Sequence, residues 1–217
     1  LGIALPAGLG KLEIGCAWGA KTVDVLAGRS MFDGFVTENG MKSDDMDQIM
    51  KRNHLIAEYN KAVKEELKYG CAFAAVSGQQ DDARVRFYSP HCAAASWNAK
   101  EGRIKYGFAF EDNRRDESDV TWSPEHVNFY TDTDIWELDR EGGTWYATRN
   151  PHDFGEPLMV ALIWDATNDK PFGQSRLKEP IRRLIQGYVR TVANATIGLE
   201  FATSPQKYLL GVSDEQY

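Results

Sequence analysis

The chain has 217 residues, 42% of them hydrophobic, and is therefore long enough to bury a sizeable core. Its formal net charge of −7 argues against a protein that binds nucleic acid by neutralising the phosphates, because such binding needs clustered lysine and arginine. Three widely spaced cysteines without a CxxC pair indicate neither a disulfide framework nor a zinc site, and no apolar run or N-terminal pattern suggests a membrane span or a signal peptide.

The first elements are predicted to be short. Residues 1–15 are rich in glycine, alanine and leucine, which predicts an irregular lead-in. Cys16–Arg29 carries a mixed apolar pattern that predicts a short helix, and Gly28 would end it. Met31–Val36 is predicted to form a brief strand.

A longer helical region follows. Ser43 precedes three closely spaced aspartates, and a hydroxyl cap with first-turn carboxylates complements the exposed amide groups of a helix start. Apolar residues then recur at three- and four-residue steps as far as Gly70, which predicts helical structure with a break at Asn53.

Beyond Gly70 the pattern changes to short aromatic or β-branched runs separated by turn-prone stretches. This spacing predicts a central antiparallel meander or a small barrel-like sheet. The predicted strands are 71–77, 84–88, 93–97, 103–110, 120–122, 126–131, 135–139, 144–148 and 158–164.

The last predicted element is a long helix over 176–203, with Ser175 as its cap and an end before Pro205. The order of helices, sheet region and helix predicts an α+β fold that forms a single domain over 1–217.

A glycine-rich stretch near the start is a weak candidate for phosphate binding. In Gly15–Thr22, three residues rather than four separate Gly15 from Gly19, and Ala20 stands where a phosphate-binding loop needs lysine. A local structural role is therefore favoured.

The remaining catalytic candidates are equally weak. His91 and Cys92 are neighbours in sequence, but adjacent residues on a strand point to opposite faces, so a turn leading into a strand is favoured. The carboxylates of 112–119 are interspersed with arginines and predict a solvated hairpin loop. Four histidines, His54, His91, His126 and His152, show no metal-ligand spacing. The sequence thus predicts no catalytic, cofactor-binding or metal-binding residue, no cofactor and no enzyme activity.

Positive charge concentrates at one place, on the predicted last helix. A solvated helix face, with Glu179 as an ionic partner, is favoured over a contact with DNA or another subunit. The residues are Arg176, Lys178, Arg182, Arg183 and Arg190.

Several motifs nevertheless resemble one known family. The run Trp18–Ala27 followed by Phe32–Phe35 is similar to the early helix and strand of tailed-phage portal proteins. Asn53-His-Leu55 and Lys68–Phe73 resemble the Asn-x-Leu helix of that family and the Tyr-Gly-x-Ala-Phe strand after it. The strongest likeness is Lys170–Gly211, with a Pro-x-Gly-x-Ser start, a long helix and a Phe-x-x-x-Pro-Gln exit.

The resemblance implies a siphovirus-type phage portal protein, the head-to-tail connector through which double-stranded DNA is packaged and ejected. It implies a homo-oligomeric ring, dodecameric in the full-length protein, with capsid, terminase and tail-connector proteins as partners and no membrane. The location would be the capsid vertex of the virion, with assembly in the host bacterial cytoplasm. The chain would be the wing-like N-terminal portion, without most of the stem and clip, and the helices at 44–69 and 176–203 would supply the contacts that close the ring.

Two other functions remain open on the residues alone. One is a stand-alone module that binds nucleic acid or glycan through aromatic side chains on the sheet, and burial of Trp97, Trp122, Trp136 and Trp145 would count against it. The other, less favoured, is a small hydrolase that uses His91, Cys92 or the carboxylates of 112–119.

Overall fold

The computed structural model describes residues 15–36, 44–78, 83–111 and 123–203. The chain forms two compact units. The larger comprises residues 21–177, and the smaller combines residues 1–20 with 178–217. The single domain expected over 1–217 stays a prediction. The whole sheet region lies within the larger unit.

Three helices precede the sheets, as the periodicity predicts: α1 (Trp18–Ala27), α2 (Asp44–Arg52) and α3 (Leu55–Tyr69). The predicted stop after α1 is confirmed, since the amide of Gly28 donates to the Asp24 carbonyl at 2.9 Å. The break between α2 and α3 is also confirmed, and His54 adopts a left-handed conformation there with φ of 49°. The predicted lead-in over 1–14 and the Ser43 cap lie outside the described residues.

The end of α3 depends on two glycines in close contact. Gly70 has φ of 105°, which favours glycine, and its amide donates to the Glu66 carbonyl at 2.7 Å. The backbone of Gly173 approaches so closely that a Cβ added to it would lie 2.5 Å from the Gly70 carbonyl oxygen. This approach gives a physical reason for the glycine of the Pro-x-Gly-x-Ser sequence.

The strand predicted over Met31–Val36 is wrong apart from an isolated bridge at Val36. Its aromatic residues pack on rings instead of entering a ladder: the Phe32 ring lies 5.2 Å from that of Phe35 and 5.5 Å from that of Tyr59. Met31, Phe35 and Val36 are exposed, and a strand needs a neighbour to which it can hydrogen-bond along its length.

Eight strands form two antiparallel sheets in the described chain. The meander prediction is confirmed for the five-stranded sheet, whose order is β3-β4-β5-β6-β7, and the other three strands form a sheet of order β2-β1-β8. The predicted strand at 120–122 lies outside the described residues. The strands are β1 (Cys71–Ser77), β2 (Arg84–Tyr88), β3 (Ala93–Asn98), β4 (Arg103–Phe110), β5 (His126–Tyr130), β6 (Asp134–Glu141), β7 (Thr144–Pro151) and β8 (Met159–Ile163).

The two sheets share one apolar core, so that α3, the three-stranded sheet and the five-stranded sheet form successive layers. Phe73 and Met159 of the smaller sheet are buried in the same cluster as Tyr130 and Ile135 of the larger one. On the other side of the smaller sheet, Val63 and further residues of α3 pack with α1 in a second cluster. Each strand of the small sheet therefore has one face toward each layer.

The last helix, α4 (Glu179–Thr203), starts later than predicted. Ser175 does not cap it, because its hydroxyl donates to the Lys68 carbonyl at 2.6 Å and accepts the Leu177 amide at 3.1 Å. In the smaller unit, the Trp18 ring at the start of α1 lies 5.1 Å from the Tyr188 ring of α4.

Candidate functional site

The glycine-rich start does not form a phosphate-binding loop. Helix α1 begins at Trp18, so Gly19, Ala20 and Lys21 are helical and their amides are not arranged around a loop. The glycine-rich stretch therefore has a local structural role as the start of a helix, as the spacing of its glycines favoured.

Ser89–Cys92 forms a turn in which the candidate nucleophile and base have separate environments. The His91 ring lies edge-on to the Tyr69 ring with 4.7 Å between centroids, whereas Cys92 packs against the core between the sheets. The Ser89 hydroxyl donates to Glu65 Oε2 at 2.8 Å. The prediction of a turn leading into a strand is confirmed.

The cysteines of the described chain are thiols outside any disulfide. Cys71 is buried, and burial together with the nearby Glu66 raises the pKa of its thiol. A raised pKa lowers the thiolate fraction and with it the nucleophilicity. Cys71 is therefore suited to packing.

The four histidines lie in different places. His126 Nδ1 is 2.6 Å from Asp139 Oδ1, and His54 occupies the corner between α2 and α3. The His152 ring lies 5.7 Å from the Phe154 ring, and both of its nitrogens are buried without a hydrogen-bond partner. Across the described ranges, no three histidine, cysteine, aspartate or glutamate side chains are grouped so that they could hold a metal ion. The carboxylates of 112–119 lie outside those ranges.

The basic residues predicted on the last helix are divided between two regions. Arg176 precedes α4, and its guanidinium lies 5.6 Å from the Trp164 ring and donates to the Thr22 carbonyl at 3.3 Å. On α4 itself, Arg183 Nε lies 2.9 Å from Glu179 Oε1. The predicted pairing with Glu179 is therefore confirmed for Arg183. The assignment of Arg176 and Lys178 to the helix was wrong, because both precede Glu179.

Sequence reasoning missed a charged pair at the base of the β6–β7 hairpin. Asp134 is buried and accepts hydrogen bonds from Arg149 at 2.6 and 3.1 Å and from the Thr133 hydroxyl at 2.7 Å. The Arg149 hydrogen bonds are the main cause of a lowered Asp134 pKa. The register Asp134↔Pro151 and Trp136↔Arg149 brings the pair together, and only a correct hairpin alignment would have indicated it.

The outer side of the five-stranded sheet carries a row of aromatic rings. Phe108, Phe129 and Trp136 are directly opposite one another in successive strand pairs, so they share one face. Tyr106 and Trp145 belong to the same face by strand alternation, and the Tyr106 ring lies 5.8 Å from the Phe129 ring. Tyr106, Phe108 and Trp145 are exposed to 42%, 39% and 46%. These five residues are called the aromatic face.

The tryptophans named as a test of the binding-module alternative have different environments. Trp97 packs edge-on against Phe172 near the core, and Trp136 is half-buried beneath the Arg149 guanidinium. Trp145 is exposed, and Trp122 lies outside the described residues. The described tryptophans are therefore not uniformly buried, and Phe108, Phe129 and Trp136 lie side by side on neighbouring strands.

An apolar groove of about 440 Å³ lies on the opposite side of the larger unit. It is formed by the outer face of the three-stranded sheet, the start of α3, α2, and the aromatic residues Phe32 and Phe35. One charged side chain, Glu156, is among its lining residues. Residues that line it include Phe32, Phe35, Ile49, Val76, Phe87 and Val160.

The described residues thus make an α+β protein with two apolar surfaces on a layered core. Within them, no helix has the length and apolar character to cross a membrane. The sequence matches the family described as "Phage portal protein, SPP1 Gp6-like" over residues 12–163, which extends from α1 to β8.

The chain therefore belongs to this phage portal protein family, a family of structural virion components, and the resemblance predicted from the sequence is confirmed. The matched range includes the Trp18–Phe35 and Asn53–Phe73 motifs, while Lys170–Gly211 lies beyond it. A search of curated proteins finds no match.

Proposed function

We propose that the chain is a subunit of the portal ring through which double-stranded DNA is packaged into the phage head and later ejected. The observation that carries the proposal is the family match, which covers all three helices and both sheets of the larger unit. The full-length protein would form a homo-oligomeric ring, a dodecamer, at one capsid vertex, and would assemble in the bacterial cytoplasm. Its partners would be capsid, terminase and tail-connector proteins.

In this proposal the protein acts through shape and packing, without making or breaking covalent bonds. The separate environments of His91 and Cys92 support this reading, since an activated nucleophile needs a base within hydrogen-bonding reach. The net charge of −7 also supports it, because a channel that lets DNA slide should make few tight phosphate contacts.

Ring closure needs two different complementary surfaces on each subunit, because head-to-tail contacts are heterologous. The helices at 44–69 and 176–203 remain the proposed sources of these contacts. Two observations support a role for them: α2 and the start of α3 line the apolar groove, and α4 exposes Leu184 and Leu199.

The test is negative-stain electron microscopy and mass photometry of the full-length parent protein. Rings of uniform size with a central channel are expected. A parent protein that remains monomeric across the concentration range would contradict the proposal.

One observation favours a second candidate function, a binding module for single-stranded nucleic acid or glycan. Exposed rings such as those of Tyr106 and Trp145 can stack on bases or sugars. Fluorescence titration of the chain with oligonucleotides and oligosaccharides tests it, with quenching of tryptophan emission as the signal. Double-stranded DNA is not expected to bind the aromatic face, because its bases are already stacked inside the duplex.

A further inference from the structure

The aromatic face and the apolar groove lie on opposite sides of the same three layers. Alternation along the strands places them there: Ala109 and Tyr130 of the large sheet face the shared core, so Phe108 and Phe129 face outward. In the small sheet Phe73 faces the core, so Ala74 and Val76 face the groove. A head-to-tail contact requires two different and complementary surfaces on each subunit, and these two apolar surfaces are unlike.

The composition of the aromatic face favours a protein as its partner. Buried interface cores are enriched in tyrosine, tryptophan, phenylalanine and arginine. Two arginines are directly opposite the tryptophans of the face, Arg149 across from Trp136 and Arg140 across from Trp145. The charge of Arg149 is matched by Asp134, whereas Arg140 donates to the Ser123 hydroxyl. The Trp145 end of the face therefore carries the Arg140 guanidinium.

The charged side chain in the groove lining is of the opposite sign. Glu156 is the charged residue among its lining side chains. Helix α2, which supplies Met46 to the groove, has aspartates in its first turn and Lys51 and Arg52 in its last turn, and none of these charged residues is in the lining. The carboxylate of Glu156 in an apolar groove complements an aromatic face that carries Arg140.

We propose that the aromatic face of one subunit docks into the apolar groove of the next copy of this chain. This inference rests on the proposed ring and names the two surfaces that would close it. On one copy, Trp145 and Tyr106 supply aromatic rings to the contact. On the next copy, Val160 and Val76 line the groove that receives them. Arg140 of the first copy lies near Glu156 of the second. This docking uses α2 and α3 as proposed above and adds the aromatic face as a contact surface besides α4.

The first experiment compares two adjacent exposed residues of β7 that point to opposite sides of the sheet. Trp145→Glu places a charge on the aromatic face, whereas Tyr146→Glu, at a site exposed to 57%, places the same charge on the other side of the strand. Sedimentation velocity of the chain is expected to show self-association weakened at least about tenfold by W145E and little changed by Y146E. Equal effects of both variants would overturn the proposal.

The groove is tested in the same way with Val160→Glu, and Ile56→Glu serves as an exposed control outside the groove lining. The decisive measurement mixes W145E with V160E in equal amounts. Each variant keeps one intact surface, so the mixture is expected to form heterodimers and nothing larger. Circular dichroism of each variant confirms that it is folded, and failure of two folded variants to pair would overturn the proposal.

A charge exchange tests the predicted orientation. Arg140→Glu and Glu156→Arg are each expected to weaken association, and the double variant is expected to recover part of the loss. Rings of the parent protein that tolerate W145E and V160E would refute this docking and leave the proposed ring intact. The docking would also be refuted if the wild-type chain never self-associates. It would be refuted as well if W145E loses binding to a single-stranded oligonucleotide but keeps its self-association.

Discussion

Arg149 holds the buried carboxylate of Asp134 through two hydrogen bonds, from Nε to Oδ1 at 2.6 Å and from a terminal nitrogen to Oδ2 at 3.1 Å. The two residues are 15 positions apart, at the base of the β6–β7 hairpin. The same guanidinium lies 5.8 Å from the Trp136 ring, so one side chain joins the ion pair to the aromatic face.

Replacing Arg149 by alanine is expected to destabilise the larger unit. The substitution removes both charged donors and leaves the Asp134 carboxylate buried, with the Thr133 hydroxyl still donating to it. Thermal unfolding followed by circular dichroism should give a lower Tm for Arg149→Ala and an intermediate Tm for Arg149→Lys, which keeps the charge without the paired geometry. An unchanged Tm in both variants would show that the pair contributes nothing to stability.

The same pair predicts a loss of stability in acid. Its hydrogen bonds lower the pKa of Asp134 in the folded state, so the folded protein binds this proton less tightly than the unfolded chain does. The stabilisation is therefore fully present above the unfolded pKa of about 4 and disappears as the pH falls through the lower, folded value. Unfolding free energies measured from neutral to acidic pH should fall more steeply for the wild type than for Arg149→Ala. Parallel curves would contradict the assignment.

Gly70 gives a prediction about backbone conformation. Its φ of 105° disfavours a side chain, and an added Cβ would lie 2.8 Å from the Gln174 amide nitrogen. Gly70→Ala should therefore lower the free energy of unfolding by about 2 kcal/mol or more. Gly102→Ala is the matched control, because Gly102 also has a positive φ, of 67°, but nothing lies within 4 Å of its added Cβ. Urea denaturation should show the larger loss for Gly70→Ala, and an equal loss would mean that the close approach costs nothing.

The sequence predicted best the elements that local signals specify. Helix α3 shows a regular apolar period and ends at a glycine whose left-handed conformation closes it, so both its course and its end could be read directly. The strands β1, β2 and β4 were likewise bounded correctly by turn-prone residues.

The errors arose where distant contacts decide the structure. Ser175 has the residue type of a helix cap, but its hydroxyl bonds to the carbonyl of Lys68, 107 positions away, and α4 begins later. The aromatic face could not be predicted from the sequence. Side chains alternate between the two faces of a strand, and only the packing of the sheets decides which face is buried. The Asp134–Arg149 pair required the hairpin register in the same way.

Asn53 provides a last prediction, at the corner between α2 and α3. Its Nδ2 donates to the carbonyls of Ile49 at 2.9 Å and Ala83 at 3.0 Å, and its Oδ1 accepts the Val85 amide at 3.1 Å. The side chain thus ties the helix corner to the start of β2, beside the groove.

Asn53→Asp keeps the size of this side chain but replaces the amide donor by an oxygen that faces two carbonyls. Loss of two hydrogen bonds and the new repulsion should lower the free energy of unfolding by about 2 kcal/mol. Asn98→Asp is the matched control, because the Asn98 side chain accepts hydrogen bonds from the amides of Lys100 and Glu101, which a carboxylate can also do. Urea denaturation should therefore separate the two variants, and a loss of similar size in both would mean that the Asn53 donor bonds do not hold α2 and α3 against β2.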